Sequence, residues 1–304
     1  MYALFNNTDQ WRWGPVDNPV DPIVPIISPF LRIWSCSIKI SYRLILATFF
    51  FILSNISYSN ESYSPGDVAL IALDESANYN DFYYMNNLVT TVIKNDKPYL
   101  LFGIPYGTKH GTNNFKFSSN HEIKRISFEV IAKEYPIQNI QINKYKTKTN
   151  KELKRILNEK KEIINAKKNT YKVHPDFNFI MPAEGTVTGV YGTQRYYNGK
   201  KGNFHNGHDI AADRGTPVYA PSSGKVVLIG NYYYNGKFIM INHGNNLISM
   251  FLHLNDIFIA QGQIVKKGEI IGTIGSTGLS TGPHLHWSVL LNNAYINPLA
   301  LVKN

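Results

Sequence analysis

Cysteine is almost missing from this chain of 304 residues: Cys36 stands alone. That excludes a disulfide within the chain and a thiolate-based metal site, so any metal ligands must come from His, Asp and Glu. Charged residues are sparse at 17% while 43% are hydrophobic, a composition that excludes wholesale disorder. There is no HExxH pair. The glycine-rich stretch GSTGLSTG at 275–282 lacks the Lys-Ser/Thr ending of a phosphate-binding loop and precedes no helical pattern, so it reads as a turn that delivers the following strand. Acidic residues are fewer than basic ones, 21 against 31, for a formal charge of +10. Such an excess attracts polyanions generally, whether nucleic acid, anionic lipid headgroups or wall polymers. The absence of a recognition helix or an aromatic RNA-binding signature argues against nucleic acid.

No apolar run here reaches the roughly 20 residues that span a bilayer. The run LILATFFFIL at 44–53 follows Lys39 and Arg43 and has the length of a signal-peptide core. Ser57 and Ser59 then offer a small-x-small cleavage pattern that places a mature start near Asn60. The stretch before the run is long and broken by prolines, which is foreign to a signal peptide and would be explained by translation starting near Ser37. The expectation is export, with a membrane anchor as the outcome if the run stays uncleaved.

From 68 to 142, short segments rich in β-branched and aromatic residues (VALIAL, PYLLFGI, RISFEVIA) alternate with Gly, Asn and Pro, the pattern of a small all-β module. His110 and His121 sit there among polar loop residues and read as solvated. TNKELKRILNEKKEIINAKK differs. Leu153, Ile156, Leu157 and Ile164 recur at helical spacing with charges on the other face, and Thr149 with Glu152 has the form of a capping box. This reads as an amphipathic connector helix whose basic face is either solvated or available to a membrane or polyanion. Beyond His174, glycine-punctuated apolar runs such as GKVVLIG, KFIMIN and NLISMFLHL, with turn signals at Asn235-Gly236, predict an antiparallel β-domain from 177 to the end.

Within that domain five of the nine histidines fall in three places: HNGHD at 205–209, His253 inside an apolar strand, and HLH at 284–286. Imidazoles near a carboxylate suit a divalent metal, with zinc the leading candidate. On a strand, His284 and His286 point to one face, leaving Leu285 and Trp287 to pack on the other. His205 and Asp209 are four residues apart, too far to share an ion on a straight strand, so a bend is expected, with Gly207 able to make it. His208 then points elsewhere. His253 requires either a function or a buried hydrogen-bond partner, and His243, in the turn INHGN, reads as structural.

Four separated blocks resemble the lysostaphin/LytM-type zinc metallopeptidases: HxGxD at His205–Asp209, DIAADRGTPVYAPSSGKVV, HL at His253-Leu254, and VKKGEIIGTIGSTGLSTGPHLHW. The likeness covers about 177–289. It implies a β-sheet groove with one zinc ion held by His205, Asp209 and His286, catalytic residues His253 and His284, and cleavage of peptide crosslinks or stems in bacterial peptidoglycan. A relative of this kind that has lost its activity would instead be a wall-binding activator of another hydrolase. Departures are Tyr191 where the family often has Phe, Leu252 where Ala is common, and Ser288 where an acid is frequent. The expected division is an N-terminal extension (1–59), a small β module with a more loosely family-like and regulatory character (60–145), the connector helix (146–174) and the LytM-type domain (175–304), with the protein placed in the periplasm or cell envelope. A covering role for the module would make deletion of 60–168 raise activity.

Overall fold

A computed structural model describes residues 56–73, 82–84, 87–119, 122–141, 147–168 and 171–302. The apolar run 44–53, Cys36 and His121 lie outside them. Ile56 to Asn304 form one compact unit, and everything below concerns that unit.

Among the described residues the fold is mostly β with one long helix, as the segment pattern predicts. The first strands are β1 (Ile56–Tyr63), β2 (Val68–Ala72), β3 (Tyr83–Tyr84), β4 (Asn87–Leu88), β5 (Thr90–Lys94), β6 (Lys97–Gly103), β7 (Gly111–Ser119), β8 (Glu122–Val130) and β9 (Ile137–Ile140). They make a five-stranded sheet in the order β1-β8-β7-β3-β4 and a three-stranded sheet β2-β6-β5. Ser57 and Ser59, the candidate cleavage residues, fall inside β1, where Ser57 lies opposite Ile126 of β8. Their shared core is built on Phe82, Leu100, Phe102 and Phe128.

Helix α1 (Asn150–Lys167) begins at Thr149, whose side chain and that of Glu152 satisfy each other's backbone N–H groups in a capping box, as the sequence indicates. Its apolar spacing proves misleading about direction. Ile156 is buried, but Leu153, Leu157 and Ile164 are exposed.

The remaining strands are β10 (Thr186–Gly189), β11 (Gln194–Tyr197), β12 (Lys200–Phe204), β13 (His208–Ala211), β14 (Pro217–Tyr219), β15 (Gly224–Tyr232), β16 (Gly236–Gly244), β17 (Leu247–Ile257), β18 (Ile264–Val265), β19 (Ile270–Ile274), β20 (His284–Leu291) and β21 (Ala294–Ile296). Ten of them form one sheet with the path β10-β13-β20-β17-β16-β15-β18, in which every pairing is antiparallel. β11 and β12 form a hairpin, and β9 adds to its edge in parallel. Strand alternation sends Leu285, Trp287, Val289 and Leu291 of β20 into the main core together with Phe251, Ile239 and Phe179. Leu101, Val68, Leu70 and Val92 from the first strands pack into that same core, and the Thr90 hydroxyl donates to the Asn245 carbonyl at 2.8 Å.

Candidate metal centre

β20 lies between β13 and β17 and carries His284 and His286 on one face. On one side the register sets Asp209 opposite His286 and Ala211 opposite His284; on the other, Leu252 stands opposite His286. Two imidazoles and a carboxylate are thus neighbours for the same reason that any cross-strand pair is.

His253 enters by a different device. Between Phe251 and Leu254 the strand β17 holds one residue more than the facing stretch of β16. The result is a bulge, with His253 at φ 65° and its N–H bonded to the Asn235 carbonyl at 2.9 Å. A bulge re-aims a side chain. Here it brings the His253 ring to 4.8 Å from the ring of His284 and 6.4 Å from that of His286, centroid to centroid.

His205 follows β12 and is pinned by two backbone bonds to the opposing chain, His205 N–H to the Thr193 carbonyl and Gly192 N–H to the His205 carbonyl, each 2.8 Å. Between it and Asp209 the chain turns at Asn206-Gly207. Gly207 is required there by crowding: a Cβ would lie 2.3 Å from the Trp287 carbonyl oxygen of β20. Gly189 on β10 performs the same service for the carboxylate, since a Cβ would come within 2.6 Å of Asp209 Oδ2.

Three atoms converge at the centre. His205 Nε2 is 3.0 Å from both Asp209 Oδ1 and His286 Nδ1, and His286 Nδ1 is 2.7 Å from Asp209 Oδ1. The other nitrogen of each ring settles what they present. His205 Nδ1 lies 2.9 Å from the Val190 carbonyl. His286 Nε2 lies 3.1 Å from the Asn206 amide oxygen and 2.8 Å from the Ser288 hydroxyl, which itself donates to that amide oxygen. A carbonyl or amide oxygen only accepts, so these nitrogens carry the hydrogens and the converging nitrogens carry lone pairs. His253 Nδ1 and His284 Nδ1 are committed in the same way, to the Thr277 and Gly282 carbonyls at 2.8 and 2.9 Å. No hydrogen bond among the described residues engages His253 Nε2.

Protonation fits this picture. Burial pushes the Asp209 carboxyl up, but whenever the His205 and His286 rings carry a proton toward it their hydrogen bonds and charge hold it well below the usual carboxylate range. Burial pushes His286 down, and His253 down to about 4. An ionised Asp209 beside a neutral His286 is the protonation state a metal requires. Two lone pairs and an anion only about 3 Å apart repel one another unless a cation lies between them, so the donor set fits a divalent metal. Among the described residues, His205, Asp209 and His286 form the one group of three such side chains that converges in this way.

All five site residues read from the sequence are brought together. His208 faces away, with Nε2 2.8 Å from Asn297 Oδ1. His243 is buried between the Ser223 carbonyl and the Ser249 hydroxyl, and His110 is exposed. Three neighbours were not read from the sequence as part of the site. Asn206 and Ser288 orient His286, Ser288 standing at the position where an acid is frequent in the resembled family. Arg195 of β11 sets a guanidinium 3.9 Å from Asp209 Oδ2 while its Nε donates to Gln138 of β9 at 3.1 Å. The pairing of β9 with β11 that creates this contact is parallel and between distant segments, and leaves no local pattern.

A family model described as Peptidase family M23 matches residues 203–298. The chain is 42% identical over 95 residues to the peptidoglycan DD-endopeptidase ShyA of Vibrio cholerae serotype O1, covering 31% of this chain and 22% of that protein. It is 42% identical over 98 residues to the DD-carboxypeptidase/endopeptidase Mpg of Neisseria meningitidis serogroup B, covering 32% and 23%. The match thus spans under a quarter of these curated relatives. A crystal structure of a peptidase M23 from Pseudomonas aeruginosa is similar over far more: 32% identity, 79% of this chain and 94% of that one, with a TM-score of 0.66. That likeness reaches well beyond the strands that carry the centre.

Proposed function

Since the chain belongs to the peptidase M23 family, we propose that it is a zinc-dependent endopeptidase that hydrolyses peptide bonds, in a crosslink or a stem, of bacterial peptidoglycan. One observation carries the reading. Five side chains from three distant stretches present one carboxylate and four imidazoles to a single face, and two of those imidazoles stand beside the metal trio rather than in it.

In this reading His205 Nε2, Asp209 Oδ1 and His286 Nδ1 hold the ion, and three protein ligands are the mark of a catalytic rather than a structural site. Zinc, when bound, supplies Lewis acidity that lowers the pKa of a water and polarises the scissile carbonyl. With no carboxylate base at hand, proton handling falls to the two remaining rings. His253, neutral at pH 7 because it is buried, accepts a proton at Nε2. His284 is the more open ring, its side chain 17% exposed; it takes up at Nε2 the proton that His253 received and passes it to the leaving amine, while the Gly282 carbonyl holds its Nδ1–H throughout. Arg195, steadied by Gln138, keeps Asp209 Oδ2 turned outward so that Oδ1 alone faces the ion.

The protein would then work in the cell envelope, exported by the apolar run. The division into extension, β module, connector helix and catalytic domain is part of the same proposal. Mass spectrometry of muropeptides released from purified sacculi tests it. The expected result is crosslink or stem cleavage that stops with a chelator and returns with zinc. A protein that binds sacculi and zinc yet releases no amine would instead be the wall-binding activator.

A further inference from the structure

The helix α1 turns its two sides to different worlds. Toward the domain it sends Ile156 and Ala166, both buried, and its three acids are engaged by the cap or by groups of the domain. Glu159 accepts from the Tyr233 N–H at 2.9 Å and from Arg155 at 2.6 Å. Glu162 accepts from the Tyr232 hydroxyl. Glu152 closes the cap and lies 3.5 Å from the Tyr233 hydroxyl. Outward it sends Leu153, Leu157 and Ile164, exposed by 45, 56 and 42%. At about 100° per residue these three fall within roughly 40° of one another. They form a narrow apolar stripe. Lys160 borders it on one side and Lys161, Lys168 and Lys154 on the other, all exposed. From Asn150 to Lys168 the sequence carries seven Lys or Arg and three Glu; Glu162 bonds Tyr232 while staying exposed, and the charged side chains that border the stripe itself are lysines alone.

We propose that this face of α1 lies on an anionic phospholipid surface, with Leu153, Leu157 and Ile164 entering the headgroup boundary and the flanking lysines meeting lipid phosphates. An apolar stripe between lysines is the arrangement an interfacial helix uses, because apolar burial and electrostatic attraction act at the same depth. A glycan or wall polyanion would engage the lysines and leave three aliphatic side chains in water, so charge and apolar exposure together select lipid. The inference is independent of what the metal centre does.

The full chain also carries the apolar run 44–53, so the readout must be local to the helix. An environment-sensitive fluorophore is attached to Leu157→Cys in a Cys36→Ser background, and phosphatidylglycerol–phosphatidylethanolamine vesicles are added. The expected result is a blue shift that high salt suppresses, that vesicles of phosphatidylcholine alone do not produce, and that Lys160→Glu with Lys161→Glu abolishes. In unlabelled full-length protein, Leu153→Ser with Ile164→Ser should weaken partitioning to the anionic vesicles on the order of tenfold. A fluorophore that stays in water while the protein sediments with the vesicles overturns the proposal. So does loss of sacculus binding, with vesicle binding unchanged, in the Lys160→Glu, Lys161→Glu variant.

Discussion

The ten-stranded sheet buries histidines at two places on its neighbouring strands β16 and β17, and the two differ in one respect that matters. His243, on β16, is enclosed, and burial pushes it down to about 4; His253, at the bulge of β17, is pushed down to about 4 by the same cause. His243 spends both nitrogens, on the Ser223 carbonyl and the Ser249 hydroxyl. His253 spends one, on the Thr277 carbonyl, and keeps Nε2 for the face it shares with His284 and His286. Burial and a lowered pKa therefore do not mark a working histidine. In the proposed function, an uncommitted nitrogen aimed at a shared centre is the distinguishing mark.

Removing a ligand should break the comparison most completely. His286→Ala or Asp209→Ala is expected to lose zinc and with it all measurable cleavage, scored by metal analysis and muropeptide release on the same preparation. Next in size, His253→Ala and His284→Ala should each lower kcat by about 10²- to 10⁴-fold while keeping one zinc per chain. His243→Gln should keep both zinc and turnover within a few-fold. Loss of metal from the His253 or His284 variants would erase the distinction between holding the ion and handling the proton.

Much of this contrast was legible in the residues, and the exceptions have physical reasons. The HLH triplet declares its own geometry, because a period of two puts alternate side chains on one face, and Leu285 and Trp287 are indeed fully buried on the other. HNGHD announced the proposed ligands but not why Gly207 is there; its lack of a side chain answers to the backbone of β20, a strand some 80 residues away in sequence. His253 looked like a residue on a regular strand, since a bulge is set by the partner strand and leaves no mark on its own sequence. Arg195 and Gln138 were invisible for the same reason: β9 meets β11 only in the fold. In α1 the spacing foretold the helix and its cap correctly, yet periodicity cannot tell a stripe that faces a core from one that faces out.

The orienting residues sharpen the comparison at intermediate scale. Ser288→Ala leaves His286 Nε2–H with the Asn206 amide alone and should weaken zinc affinity about 10- to 100-fold, the usual loss when a ligand's hydrogen-bond partner is removed; a competition titration against a chelator measures it. Restoring an acid with Ser288→Asp should tighten binding instead. Smaller still is the effect of acid on the enclosed histidine. His243 is held neutral in the folded protein and takes up a proton near 6.5 when unfolded. Between about pH 6.5 and 4 the unfolded state binds the extra proton, so stability rises with pH through that window and falls as pH drops, by at most about 3 kcal/mol. Denaturant midpoints of metal-free protein at pH 7 and 4.5 should therefore differ less in His243→Gln than in the parent; an equal difference would remove His243 from the account.

In the proposed function one ion sits among His205, Asp209 and His286 while His253 and His284 stand beside it unligated. Anomalous diffraction at the zinc edge from a crystal of the metal-loaded protein tests it most directly. The expected result is a single strong peak about 2.0–2.2 Å from His205 Nε2, Asp209 Oδ1 and His286 Nδ1, with His253 Nε2 outside bonding distance. A peak elsewhere, or one ligated by His253 in place of any of the three, would contradict it.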